Sequence, residues 1–146
     1  MTTKSSANDI QHGGTHYRTE YQHWDLLPDM HYSEEYYLGC ATKYVTRYKK
    51  KNGIEDLRKA HHFISKLIEL IAAGRVRMPA APHYTAAFAM DMKLEQFMHF
   101  NEQDEDQRYV LRSLFTATSA SGLEAARDRL ERMINNIDVE VSPRKE

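Results

Sequence analysis

The chain has 146 residues, of which 41% are hydrophobic and 28% charged, with a formal net charge of −1. That length suits one domain, or one domain with a small appendage, and the composition argues against wholesale disorder. No apolar run approaches the roughly 18 to 20 residues of a membrane span, and the polar opening lacks the apolar stretch of a secretory signal, so the expected location is the cytoplasm.

A lone cysteine, Cys40, leaves no internal disulfide framework and no Cys-x-x-Cys zinc pattern; any metal would take oxygen or imidazole ligands. Charge is unevenly spread. Lys43, Arg47, Lys49, Lys50 and Lys51 fall together without an acid among them, whereas Glu102, Asp104, Glu105 and Asp106 form an acidic counterpart. Local fields therefore matter more than the total, and near-neutral overall charge disfavours tight nonspecific DNA binding.

Residues 1–11 are polar and unpatterned and read as a disordered tail. From His12 to Asp29 a Gly13-Gly14 turn signal, the aromatic run of Tyr17, Tyr21, His23 and Trp24, and Pro28 describe an irregular, aromatic lead-in. A first helix is expected over 33–50, with Ser33 as N-cap and Glu34 and Glu35 in its first turn. Tyr37, Leu38, Ala41, Tyr44, Val45 and Tyr48 form its apolar stripe, and Lys43, Arg47 and Lys50 share a second face, roughly opposite.

Asn52-Gly53 breaks that helix, and Asn52 with Glu55 is an Asn-led capping box for a second. Ile54, Leu57, Ala60, His61, Ile64, Leu67, Ile68 and Ile71 give the second helix a long apolar face, and Gly74 ends it. The two helices are expected to pair as an antiparallel hairpin, within a domain over 12–74. Residues 75–83, with Pro79 and Pro82, read as a linker. A small C-terminal helical lobe follows over 84–138, in helices near 85–100, 105–118 and 122–137, the last capped by Ser121 and Glu124; residues 139–146 read as a tail. The fold class expected is all-α.

The chemistry available centres on the hairpin. Lys49, Lys50 and Lys51 lie beside the N-terminus of the second helix, where unpaired N–H groups and the helix dipole suit phosphate; equally, they offset the dipole at the end of the first helix. Lys43 and Arg47 are either plain solvated charge or the lining of a groove covered by the aromatic lead-in, where an aromatic ring beside a basic face could stack a nucleobase. Asp56 falls at the edge of the second helix's apolar face and should look toward the first helix, there to bind Mg²⁺, accept a proton, or pair with Lys43 or Arg47. Glu55 and Lys59 are spaced as a surface pair. His61 and His62 carry no ligand spacing, and neither a phosphate-binding P-loop nor a Gly-x-Gly-x-x-Gly turn is present.

Three segments carry a resemblance: Gly14-Thr15-His16-Tyr17, the run Gly39 to Gly53 with Lys43-Tyr44, Arg47 and Lys51, and Asp56-Leu57 with Lys59-Ala60. Together, over residues 14–70, they resemble a phage-encoded domain family whose best-understood relatives are nucleotide kinases of short-tailed coliphages. Cys40 stands where the family pattern has Asn.

The resemblance implies that Lys43, Arg47 and Lys51 contact phosphates, joined by Tyr44, Lys50 and Lys59. It implies that His16 and Tyr17 close the site, and that Asp56 orients Mg²⁺ or a basic side chain, with Asp56, Lys43 and Arg47 as the catalytic set. The expected activity is phosphorylation of deoxynucleoside monophosphates from a nucleoside triphosphate donor, with Mg²⁺ as cofactor. Positioning and charge neutralisation are what such a transfer asks of the protein. Two alternatives stand beside it: an all-α, MazG-like nucleotide pyrophosphohydrolase, and a non-enzymatic phage protein that binds host protein or nucleic acid. Nucleotides and a second copy of the chain are the expected partners.

Overall fold

In a computed structural model, residues 6–10, 12, 33–78 and 84–141 are described. Among them there is no strand, and the fold is all-α. The lead-in from residue 13 to 32, including His16 and Tyr17, lies outside the described residues, as do 79–83 of the linker.

Helix α1 spans Ser33–Arg47 and continues as a 3-10 turn, Tyr48–Lys50. The helix expected to reach Lys50 thus tightens in its last turn, because the chain must reverse within a few residues. Gly53 makes the reversal: at φ 57° and ψ −131° it occupies a region closed to side chains, and its N–H bonds back to Tyr48 O at 2.8 Å. Helix α2, Ile54–Ala72, starts directly after it with Gly53, not Asn52, at the N-cap position and no side-chain cap. Asn52 stays exposed on the turn, and its Nδ2 donates instead to Asp56 Oδ1 at 3.4 Å.

α1 and α2 lie antiparallel, as expected, zipped by Tyr37, Ala41 and Val45 against Leu57, Ala60, Ile64 and Leu67, all fully buried. Each buried Leu or Ile of this seam contributes about 2 kcal/mol. α2 closes with Gly74 at φ 68°, its N–H on Ile71 O at 3.0 Å and Arg75 N–H on Leu70 O at 2.9 Å, which satisfies the last carbonyls.

Helices α3 (Tyr84–Phe100), α4 (Glu105–Thr116) and α5 (Ala120–Val141) complete the fold. α5 starts before the expected Ser121 cap, so Ser121 is inside the helix and bonds Ser119 Oγ at 2.8 Å; it also runs on into the expected C-terminal tail. α4 has a full capping box: Asp104 accepts from Gln107 N at 2.8 Å while Gln107 Oε1 accepts from Asp104 N at 3.0 Å.

The C-terminal helices, expected as a lobe of their own, share the hairpin's core. α5 lies along α2, α4 packs on both α5 and α1, and Val110, Leu111, Leu123, Ala126 and Leu130 join the buried cluster begun by the hairpin. Gln107, itself buried, donates through Nε2 to Val45 O at 2.9 Å, and Gln103 Nε2 reaches Thr46 O at 3.2 Å. Two glutamines of the second half thereby satisfy carbonyls that the 3-10 turn leaves open at the end of α1.

Residues 6–10, expected as part of a disordered tail, form an ordered turn with a 3-10 segment Ala7–Asp9 docked on α2. His62, Lys66 and Glu69 stand one helical turn apart on α2 and meet it as a row. Glu69 accepts from Ala7 N at 2.7 Å and from Ser6 Oγ at 3.3 Å, Lys66 donates to Asn8 Oδ1 at 2.6 Å, and His62 Nε2 meets Ala7 O. Among the described residues no helix is long and apolar enough to cross a membrane.

Candidate phosphate-binding site

Three cations of the hairpin converge on one ring. Lys43 Nζ and the Arg47 guanidinium each lie 4.9 Å from the centroid of Tyr44, and Lys59 Nζ lies 5.9 Å from it. Tyr44 in turn stacks on Phe63 of α2 at 6.0 Å, which fixes the ring between the two helices. The negative faces of the ring draw positive charges that would otherwise repel each other.

Each cation is held differently. Arg47 reaches over to α2, not away from it as its helical position suggests, with Nε on Asp56 Oδ2 at 3.1 Å and Nη2 on Asp56 Oδ1 at 3.2 Å. Hydrogen bonding to Asp56 raises the guanidinium pKa further, so Arg47 stays a cation, and its side chain keeps 34% of its surface in solvent. Lys59 pairs with Glu55 at 2.8 Å, the i, i+4 pair expected, and that bond holds its pKa up. No carboxylate among the described residues stands within ion-pair distance of Lys43. Lys43 is exposed and its ammonium is available to an anion.

Asp56 is fully buried. Both carboxylate oxygens accept from Arg47, and Oδ1 also accepts from Asn52. A metal or a proton acceptor at Asp56 would require the guanidinium to withdraw, so the residues here do not fit Asp56 as a Mg²⁺ ligand. Among the described residues no group of three His, Cys, Asp or Glu side chains converges as a metal site. Asp56 fits the third of its expected roles, a positioning partner that aims Arg47 along Tyr44.

The remaining candidates separate from this cluster. Lys50 and Lys51 stand exposed on the turn, while Lys49 turns to Asp104 and joins the basic stretch to the acidic one. Burial pushes the Cys40 thiol up, against the influence of Lys43 and a hydrogen bond with Tyr36, which favours a protonated packing residue over a nucleophile. His61 pairs with Glu131 of α5 at 2.9 Å, and His62, also on α2, is taken up by Ala7 O of the docked N-terminal turn.

On the other side of the Lys43–Arg47 ridge a groove of about 570 Å³ opens between α1, α3 and α4. Gly39, Thr42, Thr46 and the two cations form one wall, Met90, Lys93, Leu94 and Phe97 the other, and Leu111 and Phe115 the remainder. The contribution of α3 is not foreseen by the sequence reading, although α3 carries more apolar residues than one buried stripe needs: Phe88, Met92, Phe97 and Phe100 are all exposed.

A family described as a protein of unknown function (DUF3310) matches residues 12–65 of the chain. That stretch holds Lys43, Tyr44, Arg47, Asp56 and Lys59, and stops short of the α3 and α4 walls of the groove. Neither curated proteins nor solved structures give a match.

Proposed function

We propose that the chain is a nucleotide-binding protein of the phage nucleotide kinase-like kind, phosphorylating deoxynucleoside monophosphates from a nucleoside triphosphate. The convergence of Lys43, Arg47 and Lys59 on Tyr44 carries this reading. A phosphate set against the ridge would meet two aimed cations and a free ammonium, and charge-assisted bonds of that kind are the strong ones. Phosphoryl transfer asks mainly for such positioning and neutralisation. Mg²⁺ enters this proposal on the phosphates of the donor, which is how that ion usually reaches such sites. A second copy of the chain is the partner proposed for the exposed Phe88, Met92 and Phe100 of α3.

The pyrophosphohydrolase reading is less well supported, because Asp56 is spent on Arg47 and Glu55 on Lys59. The non-enzymatic reading is favoured by one observation, the commitment of Asp56 to Arg47, which takes the best-placed carboxylate away from acid–base chemistry. Incubation of the full chain with each deoxynucleoside monophosphate or triphosphate, ATP and Mg²⁺, with products resolved by chromatography, separates the three. Diphosphate formed from monophosphate supports the kinase. Monophosphate and pyrophosphate from a triphosphate point to the hydrolase, and binding without turnover to the binder.

A further inference from the structure

The groove beside the ridge has the properties of a seat for an apolar body that carries a negative charge. Its walls are mostly apolar, with two rings, Phe97 and Phe115, and the side chains of Met90, Leu94 and Leu111. The charged residues that line it, Lys43, Arg47 and Lys93, are all cations. Its volume lies in the range of small-molecule sites, about 300 to 1,000 Å³. Thr42 and Thr46 spend their hydroxyl protons on α1's own carbonyls, Thr42 on Leu38 O at 2.9 Å and Thr46 on Thr42 O at 2.8 Å. Their oxygens retain lone pairs that can accept from a ring N–H.

Gly39 is the second observation. A glycine inside a helix costs about 1 kcal/mol relative to alanine, so its place in α1 needs a reason. Close packing is not that reason among the described residues: a Cβ built at Gly39 meets nothing within 4 Å. The space it leaves lies in the groove wall.

We propose that this groove seats the base of a nucleoside monophosphate, with Lys93 of α3 joining Lys43 and Arg47 on its phosphate. The proposal rests on the nucleotide-binding reading above and deepens it: the C-terminal helices, beyond the matched family region, supply half of the site. It also assigns Lys93 and Phe97 to binding.

Titration calorimetry of the full chain with deoxynucleoside monophosphates, deoxyribose 5-phosphate and dodecanoate tests it. Gly39→Leu fills the groove from a helix position where leucine is favoured over glycine, so folding is retained, with circular dichroism as the control. The parent should bind at least one monophosphate about tenfold or more tighter than deoxyribose 5-phosphate, and Gly39→Leu should erase that difference while leaving the sugar phosphate unchanged. Phe97→Ala should weaken only the monophosphate; Lys93→Ala should weaken both ligands about tenfold. Monophosphate binding that depends on Lys43 but is untouched by Gly39→Leu overturns the groove and leaves the nucleotide reading standing. Binding of dodecanoate in place of monophosphate overturns the base seat, and binding of no phosphate ligand overturns both.

Discussion

Arg47 and Asp56 hold each other across the hairpin through two hydrogen bonds, Nε to Oδ2 at 3.1 Å and Nη2 to Oδ1 at 3.2 Å. The pair is lopsided, since the Asp56 side chain is 0% exposed and that of Arg47 34%. Removing the aspartate charge leaves a guanidinium that can turn to water, whereas removing the guanidinium strands a carboxylate in the core.

Arg47→Met should therefore destabilise the fold more than Asp56→Asn, for which a cost of about 2 kcal/mol is expected from an imperfectly satisfied buried amide. Thermal melts of both variants check the order. A milder effect for Arg47→Met would mean that Asp56 finds another partner.

This pair also marks how far the sequence could be read. The 3.6-residue stripes of α1 and α2 were legible because burial there follows local periodicity, and Asp56 could be placed at the helix interface from the same wheel. That Arg47, and not Lys43, reaches Asp56 depends on how α1 sits on α2, a tertiary fact. Lys66 and Gln107 are buried for the same kind of reason: each reaches a partner about 60 positions away, Asn8 and Val45 O respectively. The α4 capping box had a sequence signal, Asp104 with Gln107 three residues on, and the glutamine is engaged by α1 as well. The groove was hidden because its two walls lie on opposite sides of the expected linker.

Gln107→Met keeps the length of the side chain but removes its donor and acceptor. It leaves Val45 O and Asp104 N without their bonds, at a cost of about 2 to 3 kcal/mol. Denaturant unfolding measures this, and an unchanged midpoint would show that α4 is not tied to α1 through that side chain.

The docked N-terminal turn should weaken in mild acid. Burial is the main cause that holds both His12 and His62 below the ordinary histidine value; His62 adds to it at His12, while the bond to Ala7 O opposes it at His62. Their rings lie 5.3 Å apart. A lowered folded-state pKa means that the undocked state takes the proton first, so the stabilisation is complete above about pH 6.5 and falls as pH drops below it. The protection of the Ala7 amide, bonded to Glu69 Oε1, relative to its intrinsic exchange rate should fall between pH 7 and pH 5, and His62→Gln should flatten the dependence. Constant protection in the parent would remove the histidines from the docking.

A chain ended after Arg77 loses α4 and α5, which cover α1 and α2 in the shared core. It should be insoluble or unfolded, with circular dichroism and gel filtration as the readout. A helical, monomeric fragment would show that the hairpin carries a core of its own.

Binding of a nucleotide at the cationic ridge is the central claim, and Lys43 tests it without the structural burden that Arg47 carries, being exposed and free of carboxylate partners among the described residues. Titration calorimetry of parent and Lys43→Ala with deoxynucleoside monophosphates should show saturable binding by the parent and a loss of about tenfold or more in the variant, at equal melting temperature. Equal affinity in both proteins, or no binding by the parent, would contradict the account.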